Sequence, residues 1–262
     1  MPGHDLQLLI KAAQASGEIA AQFWRHDPEI WDKSDNAGPV TEADLQIDTM
    51  LRDTLCAARP DYGWLSEETE DGTDRLSRDR LFIVDPIDGT RSFIKGSPTF
   101  AHSIAIAEKG QVTAAVVYLP MLDRLFTAER GGGAFLNDAA IGVSQQSDIG
   151  TATVLAAKPN LDPVFWAPDV QTPDRHFRSS LAYRLSLVGQ GRFDAMLTLR
   201  STWEWDVAAG ALIAQEAGAL VTTAYGGPAI FNNPTPKLAG MIAAGPDLHC
   251  AFLDCLRPPE GL

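Results

Sequence analysis

Asp85-Pro86-Ile87-Asp88-Gly89-Thr90 follows directly on the apolar run Leu81-Phe82-Ile83-Val84. Isoleucine and valine ahead of a turn containing proline and glycine predict a buried strand that ends in a loop. Two carboxylates three residues apart at a strand end can turn toward one point, where they repel each other unless something positive lies between them. A hard divalent cation such as Mg²⁺ meets that need, because it prefers carboxylate and carbonyl oxygen. Gly89 and Thr90 then offer backbone N–H groups where a phosphate bound to the metal can rest. Read in isolation, the same six residues are also compatible with an acidic surface turn.

The chain has 262 residues, 45% of them hydrophobic, enough for one large core or two modest ones. Its formal net charge of −13 argues against a nucleic-acid polymer or an anionic membrane as main partner. A small phosphate ester stays compatible with that charge, because bound cations reverse the local field. Cys56, Cys250 and Cys255 form no C-x-x-C pair, and the five histidines show no H-x-x-x-H spacing, so neither a disulfide framework nor zinc chemistry is expected. No basic region precedes an apolar core at the N-terminus and no apolar run reaches bilayer length, which makes the cytoplasm the expected location.

Leu6, Leu9, Ile10, Ala13, Ile19, Ala20 and Phe23 recur at helical spacing, predicting a first helix up to Trp24. A polar loop over 32–39 follows, then a second helix capped by Thr41 with Ala43, Ile47, Met50, Leu51 and Leu55 on its buried stripe. Residues 72–80 read as a mobile charged loop. Strands are expected at 81–84, 100–107, 113–118 and 125–128, with Lys109-Gly110 as a hairpin turn. Past a polar boundary at 145–150, strands at 153–157, 194–199 and 238–244 alternate with helices at 179–188, 205–217 and 247–256. This order implies layered α and β structure.

Three more acidic features stand out. Ser66-Glu67-Glu68 follows a strand-like Tyr62-Gly63-Trp64-Leu65; adjacent side chains on a strand face opposite ways, so one glutamate can bind metal while the other orients water. Asp206 sits in the first turn of a helix that opens Trp205-Asp206-Val207-Ala208-Ala209-Gly210, a place suited to capping or to a metal, with small residues allowing close packing. Pro39-Val40-Thr41-Glu42-Ala43-Asp44 has the form of a capping box.

In this order and at these spacings, the four segments resemble the motifs of the inositol monophosphatase superfamily, Mg²⁺-dependent and lithium-sensitive phosphomonoesterases. The resemblance implies an α+β, layered αβαβα sandwich of two packed subdomains, each with a sheet: 1–146 with most of the metal ligands, and 147–262 with Asp206 and a wall of the substrate pocket. It also implies a site. Glu67, Asp85 and the backbone carbonyl of Ile87 hold a first Mg²⁺; Asp85, Asp88 and Asp206 hold a second; a third, looser ion lies near Glu67. Thr90, bonded toward Asp44, orients the attacking water, with Glu68 near that water network, and the Gly89 and Thr90 N–H groups hold phosphate oxygens. Ser180 and Arg184 are the candidate substrate contacts, Ser179 stands where relatives carry glycine, and Glu204 is a further variable position there. Water attack between two ions requires no phosphoenzyme. Haloacid-dehalogenase-type phosphatases carry D-x-D-G-T, whereas the spacing between aspartates here is three.

Lys33-Ser34-Asp35 and Phe93-Ile94-Lys95 resemble the 3′(2′),5′-bisphosphate nucleotidase branch, implying 3′-phosphoadenosine 5′-phosphate as substrate, with Lys33 and Lys95 free to meet a second phosphate. Inositol-1-phosphate and histidinol-phosphate are the other substrates the kinship allows. A homodimer is implied by kinship, and a non-catalytic, metal-dependent binding or regulatory protein of the same fold is the alternative function.

Overall fold

The computed structural model describes residues 3–33 and 38–257. Helix α1 (His4–Phe23) buries Leu6, Leu9, Ala13 and Ala20, the stripe its spacing predicts. Part of the expected polar loop is instead a short hairpin, β1 (Ile30–Asp32) with β2 (Pro39–Thr41). Ser34 and Asp35 of the motif read there lie outside the described residues. Helix α2 (Glu42–Ala58) starts from the expected capping box: Thr41 Oγ1 accepts from the Asp44 N–H, and Asp44 Oδ2 accepts from the Thr41 N–H at 2.9 Å.

Strands β3 (Gly63–Ser66), β4 (Arg80–Asp88), β5 (Ala101–Glu108), β6 (Gln111–Leu119), β7 (Arg124–Glu129), β8 (Gly133–Leu136) and β9 (Ala139–Ala140) form one sheet in sequence order, antiparallel except between β3 and β4. Helix α3 (Thr90–Ile94) follows β4. The stretch read as a mobile loop at 72–80 is held in place. It contains a 3₁₀ turn, Thr73–Ser77, whose Arg75 is 2% exposed and donates to Asp71, to Asn232 Oδ1 and to the Asn233 carbonyl.

The second half supplies β10 (Thr153–Leu155), β11 (Asp174–His176), α4 (Leu181–Gly189), β12 (Ala195–Thr198), β13 (Thr202–Trp203), α5 (Glu204–Glu216), β14 (Leu220–Thr222), β15 (Lys237–Leu238), β16 (Met241–Ala244) and α6 (Pro246–Cys255). Its main sheet runs β11-β10-β12-β16-β14. The expected strand at 238–244 is thus two strands in different sheets, with β15 pairing β13 and β16 pairing β12 and β14.

Five layers result, in the order αβαβα. Phe82, Val84, Ile104 and Val116 face α1 and α2, where they meet Leu9, Ile47 and Leu51. Leu81, Ile83, Ala105 and Val117 face the other way, onto α4 and α5, in a core that also takes Leu185, Leu212 and Met196. Both faces of the seven-stranded sheet are therefore covered, which is why the run Leu81–Val84 is continuously apolar rather than alternating. Val154, Leu197 and Ile242 pack the far face of the second sheet under Leu248 and Phe252 of α6.

Close approach of α4 and α5 depends on Gly210. A Cβ there would lie 2.6 Å from Leu185 Cβ and 3.0 Å from the Ala182 carbonyl oxygen. Gly210→Val is expected to cost about 2 kcal/mol or more through overpacking, read as a lower urea midpoint at unchanged slope.

Candidate active site

Strand β4 does not stop at Val84 as expected; it runs to Asp88 with a break in register between Asp85, opposite Ser103, and Asp88, opposite Ala101. Proline has no N–H to give the ladder, so the irregularity falls where the sequence forces it. The Pro86 carbonyl is instead bonded, at 2.5 Å, to Nδ1 of His102, a fully buried side chain on β5. A carbonyl only accepts, so Nδ1 carries the proton, and burial keeps the ring neutral by pulling its pKa down to about 4. Beyond the bulge Gly89 has φ +104°, a left-handed conformation that favours glycine, and it opens α3.

The irregular strand brings Asp85 to a meeting point with Glu67, just past β3, and Asp206, in the first turn of α5. One carboxylate oxygen from each lies within 4.8 Å of the others. Asp85 is 1% exposed, and its Oδ1 is buried with no hydrogen-bond partner among the described residues. Burial first, then the mutual repulsion of the acids, raises the pKa of both Asp85 and Asp206 well above the carboxylate range. An orphaned buried oxygen inside a knot of repelling carboxylates fits a hard divalent cation and little else.

Asp88 sits at the same cavity but with one oxygen committed. Its Oδ2 accepts from Ser180 Oγ at 2.6 Å and from the Ala182 N–H at 2.7 Å, at the start of α4. Burial lifts its pKa to about 6 against those two bonds. Ser180 also accepts from the Tyr183 N–H at 2.9 Å as the N-cap of α4 and is fully buried. Its hydroxyl holds Asp88 and lies off the cavity wall, so the expectation of a substrate contact gives way to a positioning role.

The alternation expected for Glu67 and Glu68 does not apply, because β3 ends at Ser66. Both glutamates instead turn to one side, each 2.7 Å from Lys33 Nζ. Lys33 is therefore an internal counter-ion to the cluster in this structure, not a free cation waiting for phosphate. Burial, then Glu67, pushes Glu68 up to about 8. Asp48, one helical turn after Asp44 on α2, clamps this segment by accepting from Ser66 Oγ at 2.5 Å and from Thr69 Oγ1 at 2.6 Å. Glu204 is buried and accepts from the Asn232 and Asn233 N–H groups at 2.7 and 2.9 Å, anchoring the start of α5 and hence Asp206.

Thr90 Oγ1 is 3.2 Å from Asp44 Oδ1 and 3.1 Å from the Ile87 carbonyl. Asp44, fully buried, is raised by burial to about 6. A buried threonine linked to a buried aspartate thus stands beside the acid cluster, the arrangement that the four sequence motifs imply together.

A model of the inositol monophosphatase family matches residues 4–253. The chain belongs to the inositol monophosphatase family. It is a phosphoric monoester hydrolase of that group. Inositol-1-monophosphatase of Rhizobium meliloti (strain 1021) is 38% identical over 79% of this chain and 77% of its own length. Nus factor SuhB of Vibrio cholerae is 34% identical over 85% of this chain and 86% of its own. An IMPase structure from Thermotoga maritima superimposes with a TM-score of 0.81 at 30% identity, covering 96% of each chain. Among the described residues no helix is long and apolar enough to cross a membrane.

The acid cluster opens into a cavity of about 740 Å³. Gly89, Thr90 and Arg184 lie on its wall, with Ser179, Arg200 and Phe177. Asp48, His102, Arg200 and Phe177 escaped the sequence reading. Only Asp48 left a local signal, its i, i+4 spacing from Asp44 on one helix face; the other three are joined to the site by tertiary contact alone.

Proposed function

We propose that this protein hydrolyses a small phosphorylated metabolite with Mg²⁺ and water, and that its substrate is 3′-phosphoadenosine 5′-phosphate or inositol-1-phosphate. The convergence of Glu67, Asp85 and Asp206 around an unpartnered buried oxygen carries this reading. Glu67, Asp85, Asp88, Asp206 and the Ile87 carbonyl would hold the ions. When bound, these supply Lewis acidity toward the phosphoryl and leaving oxygens and acidify water.

The chain's own residues do the rest. Thr90, donating to Asp44 Oδ1, keeps its lone pairs for a proton of the attacking water and so fixes the direction of attack. Asp44, raised to about 6, is basic near neutrality and can take up proton density through Thr90. The Gly89 and Thr90 N–H groups hold phosphate oxygens at the cavity wall. Histidinol-phosphate fits less well, because its ammonium would enter a cavity whose acids, among the described residues, are those of the proposed metal cluster.

Phosphate release from these three esters with Mg²⁺ tests the proposal, and lithium is expected to inhibit. Absence of turnover on all three would favour a binding or regulatory role. Thr90→Ala is expected to lower kcat about 10²-fold with little change in KM. A defect confined to KM would contradict the water-orienting role.

A further inference from the structure

Resting on the phosphomonoesterase reading, we infer that Arg184, assisted by Arg200, is a receptor for a second anionic group, phosphate or carboxylate, carried by the leaving group of the substrate. The charged side chains on the cavity wall divide cleanly. Glu67, Asp85, Asp88 and Asp206 are the acid cluster, while Arg91, Lys95, Arg184 and Arg200 are the rest. Among the described residues of a chain with net charge −13, the charged side chains on the rest of this cavity wall are thus all cations.

Arg184 is the unusual member. It is 5% exposed. Its Nε donates to the Arg178 carbonyl at 2.5 Å, and its guanidinium lies 4.5 Å above the Phe177 ring. These contacts fix the plane of the fork, yet neither terminal nitrogen has a hydrogen-bond partner among the described residues. A guanidinium brings five N–H donors and stays charged at neutral pH, so a fork held rigidly at the cavity wall with no protein acceptor among the described residues is free to take one from a ligand. Burial works against the charge, pulling its pKa to about 10, with Asp88 and Asp206 opposing and Arg200 adding to the fall. Those two acids belong to the proposed metal cluster, and among the described residues no acid outside that cluster lines the cavity with Arg184. Arg200 is exposed on the same wall, and Phe177, half exposed beside the fork, offers a flat apolar face to a ring. A planar fork of this kind matches phosphate or carboxylate in bidentate fashion. Inositol-1-phosphate lacks such a second anion; 3′-phosphoadenosine 5′-phosphate has it.

The test compares matched esters in the presence of Mg²⁺. Adenosine 3′,5′-bisphosphate against adenosine 3′-phosphate probes a second phosphate, and 2-phosphoglycerate against glycerol 2-phosphate probes a carboxylate. The wild type is expected to favour the ester with the second anion by about tenfold or more in kcat/KM, mainly through KM. Arg184→Gln and, at an exposed position where folding is not at stake, Arg200→Gln should each shrink that preference by about tenfold, the effect of one charge-assisted contact worth about 1.4 kcal/mol. Equal kcat/KM within each pair, or a loss in the variants that falls alike on both members, would overturn the receptor and leave the phosphatase reading standing. Calorimetric binding of adenosine 3′,5′-bisphosphate with Ca²⁺ replacing Mg²⁺ decides the case without turnover. Binding weakened by both substitutions supports the receptor even if every ester proves inert, and binding indifferent to both overturns it.

Discussion

Asp85→Asn should abolish turnover while leaving the fold intact. In the proposed site Asp85 is the acid shared between two ion positions, and its Oδ1 is a buried carboxylate oxygen with no partner among the described residues. Removing its charge forfeits Lewis-acid stabilisation of several kcal/mol, and a loss of about 4 kcal/mol corresponds to about 10³-fold in kcat. The same substitution should raise the melting temperature in EDTA. Without cations, Asp85 repels Glu67, Asp88 and Asp206 from a fully buried position, and burial alone already disfavours its ionised form. Loss of activity together with a gain in metal-free stability separates removal of a ligand from damage to the core. Phosphate release across a Mg²⁺ titration, with circular-dichroism melts in EDTA, reads both halves. Turnover within tenfold of wild type would contradict the assignment of Asp85 as a shared ligand.

Features legible in the sequence were those set by near neighbours. Thr41 and Asp44 form their box over one helical turn, and the stripe Leu6, Leu9, Ala13, Ala20 needs only helical periodicity. The acids that converge at the cavity were legible because their motifs, each ambiguous alone, stand in the order and at the spacings of the family. What stayed hidden depends on distant partners. Arg75 reads as part of a charged loop, and only the carbonyls and amides near 232–234, more than 150 residues away, turn it into a buried anchor. Lys33 reads as a surface cation until the fold sets Glu67 and Glu68 beside it. Leu238 to Ala244 reads as one strand, but Gly240 has φ +68° with the Thr198 carbonyl oxygen 2.4 Å from where a Cβ would be. The chain turns there against a neighbouring backbone, and each half pairs with a different sheet. His102 carries no signal at all. Its role follows from a carbonyl left unpaired by a bulge in the adjoining strand.

In EDTA the protein should lose stability as pH rises from about 4 to 8, and Mg²⁺ should cancel or invert that trend. Burial raises Asp44 and Asp88 to about 6 and Glu68 to about 8, and it raises Asp85 and Asp206 as well. In the unfolded chain these groups titrate at about 4. The folded state therefore holds protons that the unfolded state has released, and the slope of stability against pH is negative. The contribution is fully present below the unfolded value and is lost as pH climbs through 6 and then 8, at about 1.4 kcal/mol per pH unit for each extra proton retained. Lys33 does not alter the sign. Burial opposes its charge, but Glu67 and Glu68 hold it above the ordinary lysine value, so it stays charged throughout the window. Cations bind the deprotonated cluster and compete with those protons, so saturating Mg²⁺ should add stability that grows with pH, about 2.7 kcal/mol at a hundredfold excess over Kd. Glu68→Gln sharpens the attribution, since it should take away the slope of one retained proton throughout the window from about pH 4 to 8, including pH 6 to 8, where Asp44 and Asp88 have already released theirs. Melting temperatures at pH 5, 6, 7 and 8, with EDTA or with Mg²⁺, supply the comparison. Coincident curves would mean that the acids neither hold shared protons nor exchange them for an ion.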